Sequence, residues 1–313
     1  MAQEHGRHLD LAHAVTDITL MPMSTHTRGL LLAFAGVLCF TPDAVMFRLT
    51  AVSSATLLFW RGLLTVAALL LWVLATRPRH ELRQFFSMDW LGVVAVFAQT
   101  ASEVGFIAAI MNAPTADALV VLASSPLLAA LVGWLVFRER IGVVTWLAIA
   151  AAVIGILITL RGTVLTGSLQ GCSMALLAAA GWAVNLNCLR FSKRVDPLAT
   201  VVLGTVLSGV IGLLLGPQWL LTESQFALLG LTGFVLHPIS FGLIALAAKL
   251  IPSAEVSLIS LVETLLGPFW VWLVLSEAPT GSTWIGGTVV MATLIVHTLL
   301  TWRGESEAVG AAP

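Results

Sequence analysis

The sequence predicts an all-α membrane protein: ten transmembrane helices arranged as two inverted repeats of five. Three observations carry that prediction. The 313-residue chain is 58% hydrophobic and 10% charged, with a mean hydropathy of +0.99, whereas a soluble domain carries about 25% charged residues. Its apolar residues fall into ten runs separated by short polar breaks. One stretch, from Pro114 to Trp146, recurs without a gap 138 residues later, from Pro252 to Trp284.

Residues 1–27 are polar and His-bearing and lack a continuous apolar core. They read as a disordered cytoplasmic tail rather than a cleaved signal, with Met21 and Met23 as alternative starts. The runs then extend over Gly29–Phe47, Ser54–Ala75, Trp90–Met111, Thr115–Phe137 and Val143–Leu160. The second set covers Leu169–Leu189, Leu198–Leu215, Phe226–Ala248, Ser253–Leu275 and Trp284–Leu300. Each approaches the roughly 20 residues that a helix needs to cross a bilayer. Lipid cannot satisfy backbone N–H and C=O groups, and the runs lack the alternation of a barrel strand, so helix is the expected state.

Orientation follows from Lys and Arg. With the N-terminus in the cytoplasm, twelve fall inside: Arg7, Arg28, Arg77, Arg79, Arg83, Arg138, Arg140, Arg190, Lys193, Arg194, Lys249 and Arg303. Two, Arg48 and Arg161, fall outside. Both termini, including a tail at 303–313, are then cytoplasmic. The fourth and ninth runs cross in opposite senses, so the two copies belong to halves of opposite topology. In the duplication Ala116 falls on Ala254, Asp117 on Glu255, Trp134 on Trp272, Glu139 on Glu277 and Trp146 on Trp284. LLLAFAG at Leu30–Gly36 echoes ALLAAAG at Ala175–Gly181. Inverted halves of five helices are a transporter plan, with the ligand bound near mid-membrane between them.

These features resemble the drug/metabolite transporter superfamily, EamA type, over residues 28–302. The half-motif of that family is a span beginning near Pro-Ala, a mid-span Pro and a closing Gly-Glu. It is matched by APTADALVVLASSPLLAALVGWLVFRER and IPSAEVSLISLVETLLGPFWVWLVLSE, and RGLL at Arg61–Leu64 is similar too. The chain departs from the pattern at Thr264, where Pro is common, and at Arg138 and Ser276, which replace Gly before the closing Glu. The resemblance implies two five-helix repeats, 28–161 and 168–302. It also implies a secondary transporter of the cell inner membrane that exports a small polar metabolite, an amino acid or derivative.

Intramembrane polar groups are costly and usually face a cavity, so they are the candidates for the pathway. Asp43 follows Pro42, which lacks an N–H and interrupts the first helix. Arg61 needs a partner because a guanidinium keeps its charge; Asp43 and Glu103 are the two candidates. A structural ion pair competes with a substrate contact there. Gln99 and Glu103 are four apart and share one helix face. Glu103 and the mid-span Glu263 suit either proton coupling or an amine. His237 either faces the pathway or bonds the carbonyl that Pro238 frees. Trp60 and Trp182, with Asn185 and Asn187, are candidates for an aromatic and polar wall. Trp90, Trp146, Trp284 and Trp302 read as interfacial belt residues, while Trp270 and Trp272 read as lipid-facing. Asp117 and Glu255 suit the helix N-terminal dipole, and Glu139 and Glu277 read as packing or topology signals.

The expected partners are a small-molecule substrate, the lipid bilayer and protons; a net charge of −1 gives no reason to expect nucleic acid. The three cysteines have no metal-ligand spacing and read as small buried hydrophobes. GxxxxGK[ST], HExxH and GxSxG are all missing from the sequence, so no cofactor, metal or catalytic set is expected. The alternatives are a proton-coupled exporter of cationic drugs through Glu103 or Glu263 and, from another class, a membrane enzyme or scaffold without transport.

Overall fold

In a computed structural model the chain is described over residues 25–138, 142–166, 169–192, 194–247, 250, 253–276 and 279–310. Those residues are helices and short connections, with no strand among them. The expectations for Met21, Met23, Glu139, Pro252 and Glu277 lie outside them.

The first run divides at a proline. Helix α1 (Thr25–Phe40) stops before Pro42, and α2 (Asp43–Thr50) restarts with Asp43 in its first turn. Thr41 bridges the break, donating its hydroxyl to Leu38 O at 3.0 Å. Helix α3 is Ser54–Thr56, a π-helical turn Leu57–Arg61 and Gly62–Thr76. A short α4 (Arg79–Phe85) precedes α5 (Trp90–Asn112), which Asp89 caps by accepting from Gly92 N. Then come α6 (Thr115–Leu122), α7 (Ser125–Phe137, Pro126 in its first turn) and α8 (Val143–Thr166).

The second half begins with α9 (Leu169–Phe191) and α10 (Pro197–Leu214), whose first position is a proline, where an N–H would be unpaired anyway. Helix α11 opens on a Thr222–Gln225 capping box, runs Glu223–Gly230, passes a π-helical turn Leu231–Leu236 and ends as His237–Ala247. Helices α12 (Ser253–Leu275) and α13 (Gly281–Gly310) complete the bundle. The last helix therefore runs on past residue 303, where the sequence suggests a tail.

Eight helical stretches among the described residues are long and apolar enough to cross a membrane: Thr25–Thr50, Ser54–Thr76, Trp90–Asn112, Thr115–Phe137, Val143–Arg161, Leu169–Phe191, Pro197–Leu214 and Glu223–Ile244. Gly281–His297 is a shorter apolar stretch. Large apolar side chains point outward all round, among them Leu71, Phe97, Val143 and Leu147. Water would not tolerate that surface; hydrocarbon does. The chain is a multi-pass membrane protein.

Packing follows an exchange of halves. Helix α5 lies along α9, and α1 lies along α11; α3 meets the π-turn of α11, and α10 meets α5; α1 meets α12, and α9 meets α6 and α7. Each pairing becomes its companion when the first-half helices are replaced by their second-half counterparts. Three pairings map onto themselves: α8 with α13, α3 with α10, and α6 with α12. Small residues let these backbones close. A Cβ on Gly105 would lie 2.7 Å from Met174 O, and one on Gly181 would lie 2.7 Å from Ala98 O.

A buried charged centre as the candidate functional site

Two π-helical turns bring the charged residues together. Such turns insert one extra residue and re-aim the side chains beside them, which is why they recur at functional sites. Arg61 ends the π-turn of α3, and His237 directly follows the π-turn of α11. The two turns touch through Gly233, where an added Cβ would meet Arg61 O at 2.8 Å. Thr65 fastens the contact by donating to Gly233 O at 2.9 Å.

Arg61 is 1% exposed, and its partners come from three other helices. Its Nη2 donates to Asp43 Oδ2 at 2.7 Å and to His237 Nδ1 at 2.5 Å. Its Nη1 donates to Glu103 Oε1 at 3.1 Å. Glu103 Oε2 accepts from the Ser208 hydroxyl at 2.9 Å, and the Phe47 ring lies 4.9 Å from the guanidinium carbon. Guanidinium offers only donors, so His237 Nδ1 must be the acceptor and the ring N–H sits on Nε2. Asp43, Glu103 and His237 are all deeply buried. The fixed planar fork of Arg suits it to hold two carboxylates at once on separate nitrogens. Removing Arg61 would leave two buried carboxyl groups without a counter-ion and is strongly destabilising, whereas neutralising one of the two carboxyls leaves Arg61 paired with the other.

Of the residues singled out in the sequence, Asp43, Arg61, Glu103 and His237 share this centre. Both candidate partners of Arg61 bond to it, and His237 gives its Nδ1 to Arg61. Glu263, half-buried on α12, lies within electrostatic reach of Asp43. Gln99 is buried one turn from Glu103, with Oε1 unpartnered among the described residues. Trp182 packs edge-on against Phe241 at 6.3 Å, and Phe241 lies 4.5 Å from the His237 ring.

The others lie apart from the centre. Trp60 follows the chain next to Arg61 yet points away, packing with Phe59, Trp219 and Phe226 and donating to Gln218 O at 3.0 Å. Asn185 donates to Ala95 O at 3.0 Å and Asn187 to Ala129 O at 2.9 Å. Both fasten α9 to its neighbours. Asp117 accepts from the Thr283 hydroxyl, a tie between α6 and α13. Trp270, which the sequence suggests faces lipid, instead donates to Thr41 Oγ1 at 3.1 Å across the break between α1 and α2.

Ser208 was not singled out for the site, and neither π-turn has a sequence signature. The available signal was weak: Thr205 and Ser208 place two hydroxyls on one face of an otherwise apolar run. Among the described residues no group of three or more His, Cys, Asp or Glu side chains is arranged to hold a metal ion.

Comparison with known proteins agrees with this architecture. The model of the EamA-like transporter family matches twice, over residues 27–161 and 169–299, one match to each half. No curated protein matches the chain. Fourteen chains of solved structures match. One, described as the crystal structure of a protein, is 20% identical and covers 90% of this chain and 99% of its own, with a TM-score of 0.62. That likeness is one of fold.

Proposed function

The chain belongs to the EamA-like transporter family, and from that premise we propose a secondary transporter that exports a small polar metabolite, an amino acid or derivative, by alternating access. Its frame is ten spans in two inverted five-helix halves, 28–161 and 168–302, in the cell inner membrane with both termini cytoplasmic. The exchange pattern of helix packing and the Lys/Arg bias support that frame.

The observation that carries the reading is the centre around Arg61. It is polar, sits within apolar helices, and draws on both halves: Asp43, Arg61 and Glu103 from the first, Ser208 and His237 from the second. A rocking of one half against the other makes and breaks those bonds, so occupancy of the centre is coupled to which side is open. Asp43 and Arg61 each lie about two turns from the α2–α3 connection, which supports a centre nearer the bilayer face that this connection occupies.

The test is counterflow of radiolabelled amino acids in proteoliposomes. Accumulation above protein-free vesicles is expected. Glu103→Gln keeps the side-chain shape, and flux should fall about tenfold while expression and detergent stability stay near wild type. A folded, reconstituted protein that moves no amino acid from a full panel overturns the reading.

A further inference from the structure

The charges and hydrogen bonds of the centre do not close within the chain, and what is missing has a definite chemistry. Two carboxyl groups face one guanidinium. With both ionised, the cluster carries one negative charge in excess, and Glu263 adds another carboxyl near Asp43. Arg61 is already engaged: Nη1 is held by Glu103, and Nη2 by Asp43 and His237. It serves as the internal counter-ion of the site and has little left for an incoming anion.

Three buried polar atoms here lack a partner among the described residues: Asp43 Oδ1, Arg61 Nε and His237 Nε2. Their side chains all meet at Arg61 Nη2, and Arg61 Nε lies on the same guanidinium edge. A buried polar atom left unsatisfied is destabilising. One acceptor and two donors, left unpaired on three side chains that are joined at one guanidinium, are groups that a ligand would satisfy. The rings of Phe40 and Phe241 flank His237 at 5.8 and 4.5 Å, so apolar surface adjoins the polar atoms.

We propose that this centre is an ammonium seat: Asp43 Oδ1 accepts from a ligand's protonated amine, and His237 Nε2–H and Arg61 Nε–H donate to an acceptor on the same ligand. The proposal rests on the transport reading for its context and refines it. The amine is the group the site demands, and a carboxylate is the lesser determinant, contrary to what a buried arginine in a transport path suggests. Asp43 is thus the specificity-determining residue.

Ligand pairs on the full chain in detergent decide it, at one fixed pH. The probes are phenylalanine, phenethylamine and 3-phenylpropionate, then leucine, isoamylamine and 4-methylpentanoate, read by thermal shift and calorimetry. In at least one series the amino acid and the amine should both raise Tm in proportion to dose, with the deaminated acid at least tenfold weaker. Asp43→Asn should weaken the amine at least tenfold and leave the acid unchanged. Three results overturn the proposal: acids binding as tightly as their amino acids, no amine-bearing probe binding, or a folded Asp43→Asn that keeps wild-type affinity. If Asp43→Asn does not fold, the ligand pairs on the wild-type chain decide alone. Flux without amine preference would sink this proposal and spare the transport reading; amine binding without flux would do the reverse.

Discussion

The two copies of the duplicated stretch, Pro114–Trp146 and Pro252–Trp284, end alike and differ in the middle. Arg138 closes α7 with φ 56° and Ser276, its equivalent, closes α12 with φ 54°. Two non-glycine residues hold the same left-handed stop, 138 positions apart. In mid-span the copies part. The first breaks at Ala123–Ser124 into α6 and α7, with Pro126 in the first turn of the second piece. The second runs unbroken through Ser253–Leu275, with Thr264 where Pro126 stands and Glu263 where Ser125 stands. A proline has no N–H to give the turn before it, so Pro126 favours the break in the first copy, although the second passes Pro268 without one. The two copies share the frame, and where they diverge the second brings the carboxyl of Glu263 within electrostatic reach of Asp43.

The sharpest way to break this comparison is to move the proline. Thr264→Pro removes a backbone hydrogen bond inside α12 and should cost about 3 kcal/mol, seen as a large fall in detergent Tm. Pro126→Thr restores an N–H where the first copy is already broken and should change stability by less than about 1 kcal/mol. Equal shifts from the two exchanges would show that the break in the first copy is set by packing and not by Pro126.

A smaller effect is expected just beyond the copies, where α8 crosses α13. Gly286 has Ala148 as its counterpart. A Cβ on Gly286 would come within 2.4 Å of Gly155 O, so Gly286→Ala forces two backbones apart and should cost about 1–3 kcal/mol. Ala148 already carries its methyl in a buried position. Ala148→Gly should cost about 1 kcal/mol, mostly through backbone freedom in a helix. If Gly286→Ala is silent in thermal unfolding, α8 and α13 do not cross at that glycine.

Much of this was legible in the sequence because it is local or periodic. Apolar runs give spans, Pro42 gives the break after α1, and a gapless repeat gives two halves. The need of Arg61 for a carboxylate was legible too, since a charge in hydrocarbon needs a counter-charge wherever it sits. The geometry of the centre was not. That Asp43 and Glu103 both bond Arg61, that Ser208 completes Glu103, and that His237 accepts from Arg61 depend on partners 18 to 176 residues apart. The π-turns beside Arg61 and His237 lie where α3 and α11 touch at Gly233, and no residue pattern within either helix announces that. Trp60 shows the same limit: adjacency to Arg61 in the chain sends it to the opposite side, because neighbours on a helix do not share a face.

The left-handed stops give the finest test of the two copies. A non-glycine residue there costs roughly 1–2 kcal/mol, and glycine returns about 0.5–1 kcal/mol of that through the freedom it adds to the unfolded chain. Ser276→Gly should therefore stabilise by up to about 1 kcal/mol, a small rise in Tm. Arg138→Gly relieves the same strain but also removes a cation from the C-terminus of α7, an interaction worth about 0.3–1 kcal/mol. Its gain should be close to zero. The two sites end different helices, so the double variant should show the sum of the two shifts. A larger gain at 138 than at 276 would mean that the arginine is repelled where it sits, and that the stop was kept in the first copy at a cost the second does not bear.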